Sequence, residues 1–251
     1  MNNSSSNTTS SSNTGGRSVQ NFLSQTPIFV AILLVVNIGI HIIVFITSLD
    51  ISPYVFQPYR VWYYNQYYRM ITSAFLHGGI MHIGMNMMSL VAIGGMLEPV
   101  YGSFRFIYLT WITILLGGIC YLILAFSTAW ITSDWSYIGV SSIGYSGVLF
   151  SYAVIESFHS TVQSRSLFGL INVPTKLYPF ILLIVLQFLL PNISLFGHLG
   201  GLLAGIIMMT SIGNQLLVPS QACMEWLESI LIPSFVKRQS SYRPMTDKEF
   251  I

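Results

Sequence analysis

Apolar residues gather in six runs along this chain, at residues 27–48, 80–97, 104–126, 138–158, 177–190 and 195–217, separated by stretches richer in Ser, Asn, Tyr and charge. Most runs approach the ~20 residues that an α-helix needs to cross ~30 Å of hydrocarbon. The pattern therefore predicts an all-α polytopic membrane protein with six crossings. Two runs are irregular. The fifth is short, and the fourth opens on Gly139, Ser141, Ser142, Gly144, Ser146 and Gly147 before turning solidly apolar at Val148. Half of that run reads as loop. Unpaired peptide groups in lipid are costly, so irregular backbone at that depth must be buried by protein or line a wet cavity. The fourth segment is thus expected to be a short, loop-entered helix beside a cavity. The connection at 49–79 holds Tyr54, Tyr59, Trp62, Tyr63, Tyr64, Tyr67 and Tyr68, the aromatic content of a segment lying in the bilayer surface.

Composition supports lipid as the solvent, with 53% hydrophobic residues against 7% charged. A net charge of +2 from scattered Lys and Arg gives no basic face and excludes nucleic acid as a partner class. Cys120 and Cys223 form no C-x-x-C and no paired ligand spacing, which argues against redox chemistry and metal binding. Residues 1–20 are a polar, low-complexity tract predicted to be disordered. They resemble neither a signal nor a transit peptide, because the first apolar run is long enough to span. The expected organisation is a tail at 1–20, a membrane domain at 27–217 and a second tail at 218–251. With the N-terminus in the cytosol, Arg17, Arg105, Arg165, Lys176, Lys237, Arg238, Arg243 and Lys248 fall on the cytosolic side, leaving Arg60 and Arg69 opposite. Both termini are then cytosolic, so the sequons at Asn2, Asn3 and Asn7 stay unglycosylated. In that orientation the second, fourth and sixth segments run the same way and their starts share one depth.

Polar groups at that depth are expensive enough to be functional hypotheses. Three clusters lie near those starts: His82 and Asn86, Gly144-Tyr145-Ser146-Gly147, and Gly197-His198 leading into Gly201 and Gly205. Ser146 sits where loop becomes helix, with its hydroxyl free and backbone N–H groups and a helix N-terminus at hand for a developing oxyanion. His198, at matching depth, is the candidate base. Gly197, Gly201 and Gly205 recur every four residues, a small-residue stripe that lets a neighbouring helix come close and would set the distance from imidazole to hydroxyl. His82 and Asn86 are one turn apart and point the same way, as a pair of oxyanion-side donors. Glu98 lies at the far end of the second segment and Glu156 about 15 Å along the axis from Ser146, so the pattern gives a Ser–His dyad with no acidic third member. Taken singly, a G-x-S-G, a lone histidine or a glycine stripe is ordinary helix packing, and His41, His77 and His159 are read as structural or solvated. The conjunction of order and depth is what points to chemistry.

Those residues resemble the rhomboid family: His-x-x-x-Asn in the second segment, Gly-x-Ser-Gly opening the fourth, and a histidine with a glycine-rich face in the sixth. The resemblance runs from about Pro27 to Leu217 and includes Glu98, Gly102 and Arg105 between the second and third segments. It implies a six-helix rhomboid bundle and an intramembrane serine endopeptidase acting on the transmembrane segments of single-pass or polytopic proteins. Ser146 would be nucleophile, His198 base, and His82 and Asn86 oxyanion-side residues, with no cofactor. S146-G-V-L-F and F168-G-L-I-N-V-P are most similar to the endoplasmic-reticulum type, which implies an endomembrane location, endoplasmic reticulum or Golgi. Tyr68–Arg69 departs from the Trp–Arg of many rhomboids, and the tail shows no ubiquitin-recognition helix, although the stretch from Met224 has an amphipathic pattern. A catalytically silent, client-binding rhomboid-like protein shares the fold and is the alternative reading. A small transporter is a further rival, but no internal repeat supports it.

Overall fold

Long apolar runs become helices because hydrocarbon offers their peptide groups no other partner. The computed structural model describes residues 26–190 and 193–246, so the tract at 1–20 lies outside the described residues. Helix α1 (Ile28–Thr47) leads into a long connection carrying α2 (Pro58–Tyr63) and α3 (Arg69–Thr72). Then come α4 (Ile80–Ser89), a π-helical turn (Leu90–Gly94), α5 (Gly95–Tyr101), α6 (Ser103–Thr132) and α7 (Ser146–His159). A hairpin of β1 (Ser164–Leu167) and β2 (Ile171–Pro174) precedes α8 (Tyr178–Leu189) and α9 (Leu195–Met208), and α10 (Ser211–Leu217), α11 (Gln221–Leu231) and α12 (Ser234–Lys237) follow.

Three helical stretches, Ile28–Thr47, Ile80–Tyr101 and Ser103–Thr132, are long and apolar enough to cross a membrane. Their outward side chains are apolar: Val35 is 71% and Phe45 80% exposed, which suits lipid and not water. The third span is longer than the sequence pattern suggested, 30 residues. The other three helices are short, with α7 and α9 at 14 residues and α8 at 12. At 1.5 Å per residue each covers about 21 Å or less, so other backbone must complete their crossings.

Ahead of α7 that backbone is loop, and its polar groups are met by the first connection. Ser142 and Phe56 exchange two backbone hydrogen bonds (2.8 and 3.0 Å), Gly144 N–H donates to Ser73 O (2.9 Å), and Gln57 Nε2 donates to Gly139 O (2.7 Å). The aromatic connection is therefore a wall of the protein as well as a surface segment. Its fastener is Arg69, buried, with Nη1 donating to Ser52 O (2.9 Å) and Val55 O (2.8 Å) and Nε to Gln66 (2.6 Å). The departure at Tyr68 leaves this intact. Arg69→Ala would strand two carbonyls, and we expect about 3 kcal/mol of lost stability, read as a lower midpoint in reversible detergent denaturation.

At the opposite end of the bundle, Glu98 is fully buried, and its carboxylate accepts from Phe29 N–H (3.2 Å), Val30 N–H (2.9 Å) and the Ser103 hydroxyl (2.6 Å). It supplies the cap that Pro27 does not give α1. Ser103 in turn holds the tail: its N–H donates to Arg243 O (2.7 Å), its Oγ accepts from Arg243 N–H (2.8 Å), and Ile28 N–H donates to Ser241 O (3.0 Å). Gly102, at φ +86°, stands where a Cβ would lie 2.5 Å from Met245 Cα. Residues 241–246 thus pack back onto the membrane domain, and the amphipathic pattern from Met224 is part of α11.

The structure corrects one helix boundary. The sixth run, expected to be helical over 195–217, breaks after Met208, where Thr210 Oγ1 accepts from Gly213 N–H (3.0 Å) and starts α10 as a separate helix. Strands are also present in a chain read as all-α. The hairpin turns at Phe168 and Gly169, both with positive φ (52° and 75°), as a tight hairpin turn demands.

Candidate active site

The turn before α7 is built to leave one hydroxyl free. Gly144 adopts φ +119°, a backbone region that side chains disfavour. Tyr145 points inward and is fully buried, its hydroxyl 3.3 Å from that of Tyr152, which pairs with the Thr110 hydroxyl (2.5 Å). With its neighbours anchored on either side, Ser146 becomes the first residue of α7. The first N–H groups of a helix have no partner within it, so donors and the positive end of the helix dipole gather around Ser146 Oγ.

His198 reaches that hydroxyl because α7 and α9 touch backbone to backbone. A Cβ on Gly201 would lie 2.8 Å from Gly147 Cα, and one on Gly205 would lie 2.8 Å from Ser151 O. Gly147 faces Gly197 O in the same seam, and the Ser151 hydroxyl bridges it by donating to Gly201 O (2.6 Å). Ser194 Oγ accepts from Gly197 N–H (3.1 Å) and fixes the start of α9. The outcome is a hydrogen bond of 2.7 Å between Ser146 Oγ and His198 Nε2, with the imidazole buried. For the hydroxyl to donate, Nε2 must be bare and the ring proton must sit on Nδ1, for which no partner is found among the described residues. Among the described residues no carboxylate orients this histidine. Instead the Phe150 ring, one turn after Ser146, lies against it with centroids 4.8 Å apart and planes 38° apart. Glu156 pairs with Arg165 of β1, at the other end of α7.

His82 and Asn86 also face this site, but in different ways. His82 Nδ1 accepts from Gly78 N–H (3.3 Å), so a neutral ring carries its proton on Nε2. That nitrogen lies over Gly144, 2.7 Å from where a Cβ would be, which makes it a donor aimed beside Ser146. Asn86 is buried and turned back along its own helix, its Nδ2 donating to His82 O (2.8 Å). It braces His82 as well as lining the site.

Two positions were not legible as site neighbours. His77 is buried with its ring 5.1 Å from that of His82, edge to face; its loop position hid this. Phe150 reads in the sequence as one more apolar residue. A third feature concerns packing: Gly200 faces α6, where a Cβ would lie 2.8 Å from Gly117 O, so α9 is gripped on two sides and the G-G at 117–118 was the available signal.

Ser146 stands between two openings. On one side is a narrow cavity of about 60 Å³, bounded by Ser73, Thr113, Gly117, Tyr121, Ser142 and Gly197 among others. On the other is a cavity of about 890 Å³ bounded by α4 and α8, with Met81, Met85, Leu182 and Leu186 at its rim and His82, Asn86, Ser146 and His198 at its floor. No cluster of His, Cys, Asp and Glu suited to a metal ion is found among the described residues.

The chain that carries this hydroxyl–imidazole pair is similar to known proteins. The rhomboid domain model matches residues 64–215, and the chain belongs to the rhomboid family. It is 39% identical to rhomboid-like protein 15 of Arabidopsis thaliana over 217 residues, 84% of this chain and 53% of that protein. It is 36% identical over 165 residues to rhomboid-like protein 14, mitochondrial, of the same plant, 65% of this chain and 49% of that one. It is also 30% identical to rhomboid-type serine protease 2 of Yarrowia lipolytica, over 61% of this chain and 50% of that protein. The chain spans about half the length of these relatives. It is an integral membrane protein of the rhomboid fold.

Proposed function

We propose that this chain is an intramembrane serine endopeptidase. The observation that carries the reading is the 2.7 Å hydrogen bond from Ser146 Oγ to His198 Nε2, set at the floor of a recess with donors beside it. Ser146 Oγ attacks the scissile carbonyl carbon while its proton passes to His198 Nε2. The oxyanion is met by N–H groups at the start of α7 and by His82 Nε2–H. Collapse breaks the C–N bond, and Nε2 returns the proton to the leaving amine. Water then attacks the acyl-enzyme by the same route in reverse roles.

The larger cavity, apolar at its rim and polar at its floor, suits a substrate segment arriving from lipid between α4 and α8. The narrow one has room only for a small side chain or for water. Small or helix-breaking residues at the cut are therefore favoured, because a helical peptide bond must unwind before its carbonyl is exposed. We place the protein in an endomembrane, endoplasmic reticulum or Golgi, with both termini cytosolic. Support for the orientation is the bias of Lys and Arg.

The test is purified chain in lipid nanodiscs with a single-pass reporter whose helix is weakened by Gly and Pro. A single defined product, together with fluorophosphonate attached at Ser146 by mass spectrometry, is expected. Neither label nor product across several reporters would overturn the proposal in favour of client binding without chemistry.

A further inference from the structure

Helix α11 has an apolar arc wider than the body beneath it covers. At about 100° per residue, Met224, Leu227, Cys223, Ile230 and Trp226 follow one another around one apolar side of this helix, with Met224 and Trp226 at its two edges and Glu225 on the side opposite its middle. Met224 is fully buried and Leu227 half-buried, while Trp226 and Ile230 are each 60% exposed. Covered and uncovered apolar positions are thus neighbours around the helix, with the polar face turned elsewhere. A strip holding Trp226 and Ile230, each largely uncovered, suits lipid better than water, and lipid is the medium that the bundle's outward apolar side chains also meet.

The placement agrees. Helix α11 lies at the end of the bundle where α5, α7 and α9 finish, held by Arg105 on Gln221 and, through Glu228, by Tyr242 of the tail. The next turn exposes Phe235 and then Lys237 and Arg238. Aromatic and aliphatic residues share one strip of α11, its charged residues are Glu225 and Glu228, and the basic pair follows in the next turn; an exposed Trp and Ile strip leading into Phe235 and a basic pair is a composition suited to a membrane interface.

We propose that α11 and the turn after it are an in-plane membrane anchor. Trp226, Ile230 and Phe235 insert at the headgroup–acyl boundary of the bilayer that carries the spans, and Lys237 and Arg238 sit among anionic headgroups. This holds the tail strap at Ser241–Arg243 against Glu98 and Ser103.

Cys223 is exposed and Cys120 buried, so a nitroxide on Cys223 in a Cys120→Ala background reports the strip directly. In nanodiscs of phosphatidylcholine with phosphatidylserine, power saturation should show the label relaxed by oxygen and not by a nickel chelate, at a depth of about 5–10 Å below the phosphates. Lys237→Gln with Arg238→Gln should move the label outward in these discs and leave it unmoved in phosphatidylcholine alone. A label relaxed mainly by the nickel chelate would overturn the anchor, since the strip would face water. A label shielded from both reagents would equally overturn it, since protein would then cover the strip, whether a second copy or a partner. A basic-pair variant whose label stays put in anionic discs would overturn the headgroup contact.

Discussion

Replacing Ser146 by Ala is expected to reduce reporter cleavage to background, a loss of about 10⁴-fold or more, and His198→Ala to do the same. The argument rests on a shared proton. The hydroxyl is a weak nucleophile until Nε2 takes its hydrogen across the 2.7 Å bond, and the imidazole has no other task in the first step. The two groups act as one unit, so the double variant should be no slower than either single one. His82→Ala should differ in kind. It removes one donor from the oxyanion and leaves the dyad intact, which predicts a loss of about 10²-fold in kcat with KM nearly unchanged. Initial rates in nanodiscs at matched protein separate these cases. If either dyad variant retained more activity than His82→Ala, the assignment of nucleophile and base would fail.

Much of this architecture is legible in the sequence because hydrocarbon imposes few options. A run of some twenty apolar residues must be a helix, and a Gly/Ser stretch interrupting one must be covered or wet. The start of α7 at Ser146 and the close seam between α7 and α9 follow from composition and spacing alone. Other features depend on where neighbours fall in space. Glu98 could be placed at a helix end but not recognised as the cap of α1, a partner 68 positions away. Phe150 gives no signal among the apolar residues of α7, although its ring lies tilted against the base. The break at Thr210 competes with an apolar pattern that runs on through Leu217, and a side-chain cap overrides that pattern locally. The hairpin is too short for its alternation to show. Its turn, with two positive φ angles, is carried by one glycine.

Gly201→Ala is expected to disable the site without touching either reacting group. The added Cβ would lie 2.6 Å from the carbonyl carbon of Gly147 and 2.8 Å from its Cα. These are backbone atoms of α7, with no flexible side-chain end to swing aside, and contacts so short do not occur. Helices α7 and α9 must therefore separate. The Ser146–His198 bond has only about 0.5 Å to spare before it leaves hydrogen-bonding range. A misplacement near 1 Å costs reactions of this kind about 10²-fold, and the overpacked seam costs about 1–3 kcal/mol of stability. Fluorophosphonate labelling rate and detergent denaturation midpoint should both fall. Gly39→Ala is the control, on the lipid-facing α1, where a Cβ would meet nothing within 4 Å; both readouts should stay at wild-type values. Gly205→Ala divides the two effects. It disturbs the same seam one turn further from the dyad, against Ser151 O and Val154, so it should lower the midpoint comparably and slow labelling less. A Gly201→Ala protein that labels at the wild-type rate would mean that the glycine seam does not set the distance between base and nucleophile, and that the adjacent Phe150 ring and the Ser194 cap hold His198 in place unaided.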